Sequence, residues 1–402
     1  YERGITTWLN AWVGPLVHGY LEKLHSRLPG AAVAVMQSSG DTMDVAEAGR
    51  HAARMLLSGP AGGLAAARFI GELTARQRLL TFDMGGTSTD VAMIDGELRL
   101  TGEDRIGPYP VTVPMVDMHT IGAGGGSIAR LDAGGLLHVG PQSAGADPGP
   151  ACYGRGGTEP TVTDANLVLG RLRPEYFLGG ALRLDARAAR DAVSRIAEPL
   201  GLGAEEAALG IVRVANEHMA RALRVISVQR GIDPRRFTLL SFGGAGGLHV
   251  CALAESLDMN EALIPIHSGV LSALGMLAAP RGRRLSRTWN ILLEDADEKS
   301  VAAGFAELAQ QGGAELQREG VAVHDIHTER TADLRYRGQS ATLNIPWWDS
   351  CAAAASFHHA HAARYGHRLD RPIELVNLRA AIFGPRPGLT LRSVAAGDTN
   401  LP

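Results

Sequence analysis

The sequence holds only two lysines, Lys23 and Lys299, and neither lies near a cluster of glycines. No G-x-x-x-x-G-K-[ST] string occurs, which excludes a phosphate loop built around a lysine. Any phosphate bound here must be met by backbone N–H groups, hydroxyls, arginine or a metal ion. Cysteine is nearly as sparse. Cys152, Cys251 and Cys351 are far apart and odd in number, which argues against a disulfide framework and fits reduced thiols in a cytoplasmic protein. There is no apolar run long enough to span a bilayer and no signal peptide. With a net charge of −3, the chain also lacks the basic excess that nucleic acid or an anionic membrane would require.

What the sequence has in abundance is glycine, 50 of 402 residues, gathered in clusters. Such clusters mark places where backbone turns tightly or lies close to a ligand. The length allows two or three domains and a sizeable core. The first residues, Tyr1-Glu2-Arg3, run without a Met into a helical pattern, so a further segment upstream is expected.

Apolar residues at helical spacing (Ile5, Trp8, Leu9, Trp12, Val13, Leu16, Val17, Leu21, Leu24) predict a helix over 4–28. Ala31 to Met36 has the pattern of a buried strand. Ser58-Gly59-Pro60-Ala61-Gly62-Gly63 predicts a turn that opens a small-residue helix over 61–74. Leu79 to Asp83, Thr89 to Ile94 and Glu97 to Leu100 predict strands, the last two joined by the hairpin signal Asp95-Gly96. Residues 117–165 are rich in Gly, Ala, Ser and Pro over a span too long for an idle connection. Two helical pieces follow in 185–231, then a strand from Phe237 to Phe242 and helices at 248–257 and 268–279. From about 290 onward strands and helices alternate in a different style, which predicts a separate α/β domain.

Two glycine loops carry the chemistry. The first is Asp83-Met84-Gly85-Gly86-Thr87-Ser88-Thr89-Asp90, a strand–turn–strand whose tip has no side chains to block it. Backbone N–H groups of Gly85 and Gly86 can form an anion-binding concavity, and Thr87, Ser88 and Thr89 add hydroxyls. A carboxylate beside a phosphate loop is repulsive unless it holds a cation or a proton. Asp83 and Asp90 are therefore the candidate catalytic pair, with Asp83 holding Mg²⁺ through water or orienting a nucleophile. The second loop, Gly243-Gly244-Ala245-Gly246-Gly247, follows a strand and opens a helix. It suits either a nucleotide at a helix N-terminus or close strand–helix packing.

A phosphate hairpin followed later by a strand–glycine–helix loop is similar to the actin/hexokinase/Hsp70 ATPase architecture, in which each of two related domains carries one phosphate hairpin. One hairpin of that kind is found here. The resemblance extends further, to the hydantoinase A/5-oxoprolinase family. It rests on Tyr1 to Ala11, Ser58 to Gly63, Phe82 to Val91, Thr120 to Ala129, Val139 to Pro150 and Thr161 to Asn166. In the C-terminal region it rests on Asp333 to Ser340, Tyr365-Gly366-His367 and Glu374 to Arg379.

This resemblance implies an α/β protein with an actin-like (ASKHA, ribonuclease H-like) ATPase domain over 1–285 and a smaller C-terminal α/β domain over 286–402. It implies ATP and Mg²⁺ as cofactors, with Asp83 to Asp90 on phosphate and metal and Gly243 to Gly247 on the nucleoside. The activity implied is ATP-dependent opening of a cyclic amide by phosphorylation of its carbonyl oxygen. The same motifs serve the ATP-handling subunit of an acetone-type carboxylase acting on a ketone, and a non-catalytic nucleotide-binding subunit is the third reading. A hydantoinase B-type subunit is the implied partner, in a homo- or hetero-oligomer. The family's first phosphate domain has no counterpart in these residues.

Weaker candidates remain. Asp117 and His119 are two apart, on one face of a strand, and suit a second divalent metal or acid/base work; a histidine bonded to backbone is the plainer alternative. The loop Gly124-Gly125-Gly126-Ser127 is a candidate for substrate or phosphate, with Ser127 either a hydroxyl donor or a helix N-cap. Asp147 and Asp164 either touch substrate or cap turns. His358, His359 and His361 have the pattern of a solvated helix face, Trp347-Trp348 that of packing or a subunit contact, and Arg281 to Arg284 that of a solvated linker.

Overall fold

The computed structural model describes residues 1–102 and 104–391. Residues 392–402, the tail of the expected C-terminal domain, lie outside the described residues. Among the described residues, no helix is long and apolar enough to cross a membrane.

The first helix, α1 (Glu2–Ser26), forms where its spacing predicts. Asn10 pins it, donating from Nδ2 to Arg50 O and accepting from Ala53 N–H, both at 3.0 Å. Its burial is narrower than its composition suggests. Leu9 and Leu21 are buried, whereas Trp8, Trp12, Leu16 and Tyr20 stay exposed. Leu9 packs against Ala53, Val111, Val113 and Met115, and Leu21 against Met43 and Ala48.

The centre is a mixed sheet. Its strands are β1 (Arg78–Met84), β2 (Thr89–Asp95), β3 (Met118–Ile121), β4 (Thr238–Phe242) and β5 (Ala262–Leu263), in the order β3-β2-β1-β4-β5. The β1–β2 and β2–β3 pairs are antiparallel, and β4 runs parallel to both β1 and β5. The strand expected over 97–100 splits in two. Glu97–Leu98 turns back on β2, and Leu100–Thr101 pairs with Met115–Val116.

Alternation along β1 sends Leu80, Phe82 and Met84 to one face, where helix α5 (Ala204–Ile226) covers them with Ile211, Val212, Met219 and Leu223. Between sheet and α5 in the chain come α3 (Val162–Val168) and α4 (Ala186–Leu200). The opposite face carries Leu79, Ile94, Leu240 and Phe242 against α2 (Ser58–Leu73). Past β4 lie α6 (Val250–Ser256) and α7 (Leu271–Ala278). Helices α2 and α7 cross backbone to backbone, because a Cβ on Gly275 would meet Gly62 O and one on Gly62 would lie 2.9 Å from Ser272 O.

A second, fully antiparallel sheet begins at Gly282. It contains β6 (Gly282–Leu292), β7 (His327–Tyr336), β8 (Leu343–Pro346) and β9 (Ile373–Phe383), ordered β6-β9-β7-β8. Helices α8 (Glu298–Arg318) and α9 (Ser350–Tyr365) supply its core through Val301, Phe305, Leu316 and Phe357. Trp347 is buried in that core and Trp348 is exposed.

Two readings of polar stretches are corrected here. The Arg281–Arg284 run is a joint, not a solvated linker. Arg283 has no exposure and lies 2.7 Å from Glu315 Oε2, with Glu319 on its other side. Arg284 pairs with Asp41 at 2.9 Å, which ties β6 back to the segment before α1's neighbours at 42–44. Glycine and charge in the sequence hid this, because the partners lie far away along the chain. Likewise His361 is buried, its Nδ1 donating to His367 O at 2.8 Å. The alanine-rich helix offered too weak a pattern to show which side faces the sheet.

Candidate functional site

The β1–β2 hairpin places Asp83 directly opposite Asp90. Thr120, on β3, stands opposite Asp90 in turn and donates from Oγ1 to Asp90 Oδ1 at 2.6 Å. All three side chains belong to the α2 face of the sheet, at the end where β1 and β4 finish. No described residue donates a hydrogen bond to the Asp83 carboxylate. Burial, with Asp90 adding repulsion, pushes the Asp83 carboxyl up to about 6. Burial also raises Asp90, opposed by the Thr120 hydroxyl.

The hairpin tip is closed by one bond, Gly85 N–H to Ser88 O at 3.0 Å. The N–H groups of Gly86, Thr87 and Ser88 and the hydroxyls of Thr87 and Ser88 have no acceptor among the described residues. The tip carbonyls, in contrast, are taken. Gly125 N–H donates to Gly85 O at 3.0 Å and Gly126 N–H to Gly86 O at 2.6 Å. The loop at 122–127 therefore packs on the hairpin through the tip carbonyls and leaves its donors unused. The contact is so close that a Cβ on Gly124 would sit 2.7 Å from Thr87 N.

The third loop completes the cleft. Gly243 follows β4, next to β1, with φ +82; a Cβ there would strike the Asp83 carboxylate and lie 2.5 Å from Met84 O. Ala245 N–H then donates to Met84 O at 3.0 Å. Three glycine loops far apart in sequence thus meet around Asp83 to Ser88. A side chain at Gly124, Gly126 or Gly243 would hold them apart.

Other sequence candidates have structural duties. Thr89 is buried and donates to Ala123 O at 2.6 Å. Ser127 starts a strand, not a helix, and its buried Oγ accepts from Gly124 N–H at 2.8 Å, so it shapes the loop from inside. Asp164 has no exposure. It accepts from Ala151 N–H, Cys152 N–H, Thr161 N–H and the Thr161 hydroxyl, a capping box that also staples the loop before it. With its lone pairs so occupied, it is a cap and not a substrate contact. Asp147 is exposed and has no described partner. Gly244 and Gly247 are exposed.

The grouping of Asp83, Asp117 and His119 as metal ligands is not assembled. His119 pairs with Val91 and shares its face, the one away from Asp83. The Asp117 carboxylate is held by the Arg230 guanidinium. Among the described residues, no three of His, Cys, Asp or Glu come together as a metal site. A cavity of about 480 Å³ lies elsewhere, between α2 and the second sheet, lined by Arg68, Phe69, Arg284 and Phe383 among others.

Sequence reasoning passed over three contributors. Thr120 was legible in the strand alternation that pairs it with Asp90. Thr163 holds Gly125 O with both its N–H, at 2.7 Å, and its hydroxyl, at 2.8 Å. His249, fully buried, lies between Asn216 and Asn166; nothing local in the sequence pairs these three.

The fold and cleft together define an α/β protein with a glycine-lined cleft at the end of a mixed sheet. The family model described as hydantoinase/oxoprolinase matches residues 3–283, and the chain belongs to that family. It is 37% identical to caprolactamase subunit alpha of Pseudomonas jessenii, over 98% of this chain and 60% of that one. It is 34% identical to 5-oxoprolinase 1 of Arabidopsis thaliana, over 98% of this chain and 33% of that protein. Among solved structures, the ATP-dependent caprolactamase from Pseudomonas jessenii superposes with a TM-score of 0.84 at 33% identity, over 99% of this chain and 61% of that chain. The nucleotide-free acetone carboxylase superposes with a TM-score of 0.70 at 29% identity, over 89% of this chain and 53% of that chain. The chain thus spans about a third to three fifths of the length of these relatives.

Proposed function

We propose that this chain supplies the ATP half-site of an ATP-dependent hydrolase that opens a cyclic amide. The observation that carries the reading is the cleft itself. Three N–H groups and two hydroxyls at Gly86 to Ser88 have no partner among the described residues, and the same hairpin carries the half-buried, unpartnered carboxylate of Asp83. Donors of that kind suit phosphate oxygens. A carboxylate raised by burial and by a second carboxylate gains from a cation. The residues therefore fit Mg²⁺, with Asp83 and Asp90 as its holders through water. When bound, the ion supplies charge neutralisation at the phosphates.

In this mechanism the hairpin amides hold the γ-phosphoryl group. The amide oxygen of the substrate attacks phosphorus, and the bond from phosphorus to the ADP oxygen breaks. Water then attacks the activated carbon. The ring C–N bond breaks, nitrogen takes a proton, and a second water attacks the carbon of the resulting acyl phosphate, so that the oxygen originally in the carbonyl leaves with phosphate. The loop at 243–247 receives the nucleoside. The strand order β3-β2-β1-β4-β5 supports an actin-like assignment of residues 1–285, with 286–402 as a second domain. Asp147, exposed beside the cleft loops, is retained as a substrate candidate. A B-type subunit is the proposed partner.

The likeness to acetone carboxylase favours a second reading, in which a ketone enolate oxygen is phosphorylated and the product is carboxylated. The amide reading is tested by isotope transfer. A lactam labelled with oxygen-18 at its carbonyl is turned over with ATP by the chain together with its partner. The amide reading predicts the label in inorganic phosphate; label retained wholly in the acid product would overturn it.

A further inference from the structure

His249 sits where the Gly243–Gly247 loop runs into α6, with no solvent exposure. Both ring nitrogens are engaged. Nδ1 lies 2.6 Å from Asn216 Oδ1 on α5, and Nε2 lies 3.5 Å from Asn166 Nδ2 on α3. A carbonyl oxygen only accepts, so Nδ1 carries the proton; an amide nitrogen donates, so Nε2 is the bare acceptor. The Asn166 amide has little freedom to turn over. Its Nδ2 also donates to Val162 O at 3.0 Å, and its Oδ1 faces Arg171 Nη1 at 3.5 Å. The imidazole is thus held as one neutral tautomer. Burial, reinforced by Arg171, lowers its proton affinity to about 4. Asn216, Asn166 and Arg171 are the polar groups that face it from α5, α3 and the segment after α3.

The two elements joined by His249 are those that end at the cleft. Helix α3 begins beside Thr163, which holds Gly125 O twice. The segment leading to α6 includes Ala245, whose N–H holds Met84 O. We propose that His249 is a positioning residue: as a neutral Nδ1–H imidazole bridging Asn216 and Asn166, it fixes the Gly243–Gly247 loop against the Gly122–Ser127 loop and so sets the nucleotide cleft. This rests on the nucleotide reading above and assigns the cleft's geometry to a residue that touches no ligand.

The test uses two substitutions with opposite signs. In Asn216→Asp, the new carboxylate faces Nδ1–H and stabilises the imidazolium. Its second N–H then meets the Asn166 amide nitrogen, donor against donor, and the bridge opens on protonation. In Asn166→Asp, the carboxylate faces Nε2 instead, and the bridge closes on protonation. The dissociation constant for Mg-ATP is measured for each variant relative to the parent at the same pH, which cancels the titration of Asp83. Between about pH 8 and about pH 5, affinity of Asn216→Asp falls about tenfold on acidification, whereas that of Asn166→Asp falls about tenfold on alkalinisation. A merely structural role lowers the melting temperature of both and leaves the two ratios flat or parallel; that result overturns the proposal. If the parent binds no nucleotide, the functional reading fails by itself. The amide exchange rates of Gly243 to Gly247, taken as the same ratios, then decide the bridge by the same opposite slopes.

Discussion

Asp83 and Asp90 stand opposite each other on paired strands, and among the described residues no lysine or arginine contributes to the ionisation of either. A natural chain rarely places two half-buried carboxylates face to face without a cation, a proton or a donor to hold them. Thr120 provides for Asp90, and Asp83 has nothing. The pair therefore marks the ligand side of the hairpin.

Replacing Asp83→Asn removes the repulsion and the cation's holder together. Folding stability at pH 7 rises by on the order of 1–2 kcal/mol, read from urea unfolding. ATP turnover in the presence of the partner falls by at least about a hundredfold. A variant that turns over ATP at the parent's rate would remove Asp83 from the mechanism.

The raised Asp83 carboxyl also fixes a sign for pH. The folded chain holds that proton more tightly than the unfolded chain, so its ionisation costs stability as pH rises through about 4 to 6. Magnesium requires the ionised form. Its affinity is level above pH 7 and weakens progressively as the pH falls through about 6, measured by magnesium titration of the nucleotide-bound chain. Affinity that strengthens on acidification would contradict the assignment.

Gly243 combines a left-handed backbone with contact to Asp83 and Met84 O. Gly243→Ala has neither the φ nor the room. It costs about 2–4 kcal/mol of stability and pushes the third loop off the hairpin. Circular dichroism in urea reads the first effect and nucleotide titration the second. The control is Gly86→Ala, where a Cβ meets nothing; it leaves stability within about 0.5 kcal/mol of the parent while obstructing the phosphates.

Much of this was legible in advance, for reasons that differ by element. The hairpin was readable because its signal is local: two alternating strands, a glycine pair and flanking aspartates fall within a dozen residues. The glycine loop after β4 was readable for the same reason, although its job stayed open between packing and binding. What the sequence hid was convergence. Nothing near Gly125 announces that its carbonyl meets Thr163, or that Ser127 turns its hydroxyl inward to Gly124. Asp164 looked like a site residue because it sits among glycines, and the structure spends it on four donors of its own loop. Asp117 failed as a ligand because Arg230, far along the chain, claims it.

The joint between the two sheets offers an independent check of the energetics. Arg283→Met leaves Glu315 and Glu319 without their buried cation. Stability falls by about 3–5 kcal/mol in urea unfolding, and the nucleotide affinity of the folded fraction is unchanged. A loss of affinity at full folding would mean that the joint reaches the cleft.

The central claim is that the unpartnered amides of the hairpin bind phosphate. Hydrogen–deuterium exchange of the chain with and without Mg-ATP tests it most directly. The account predicts new protection at Gly86, Thr87 and Ser88 and at Gly243 to Gly247, with β7 and β9 unchanged. Nucleotide that binds without slowing exchange at Gly86 to Ser88 would contradict it.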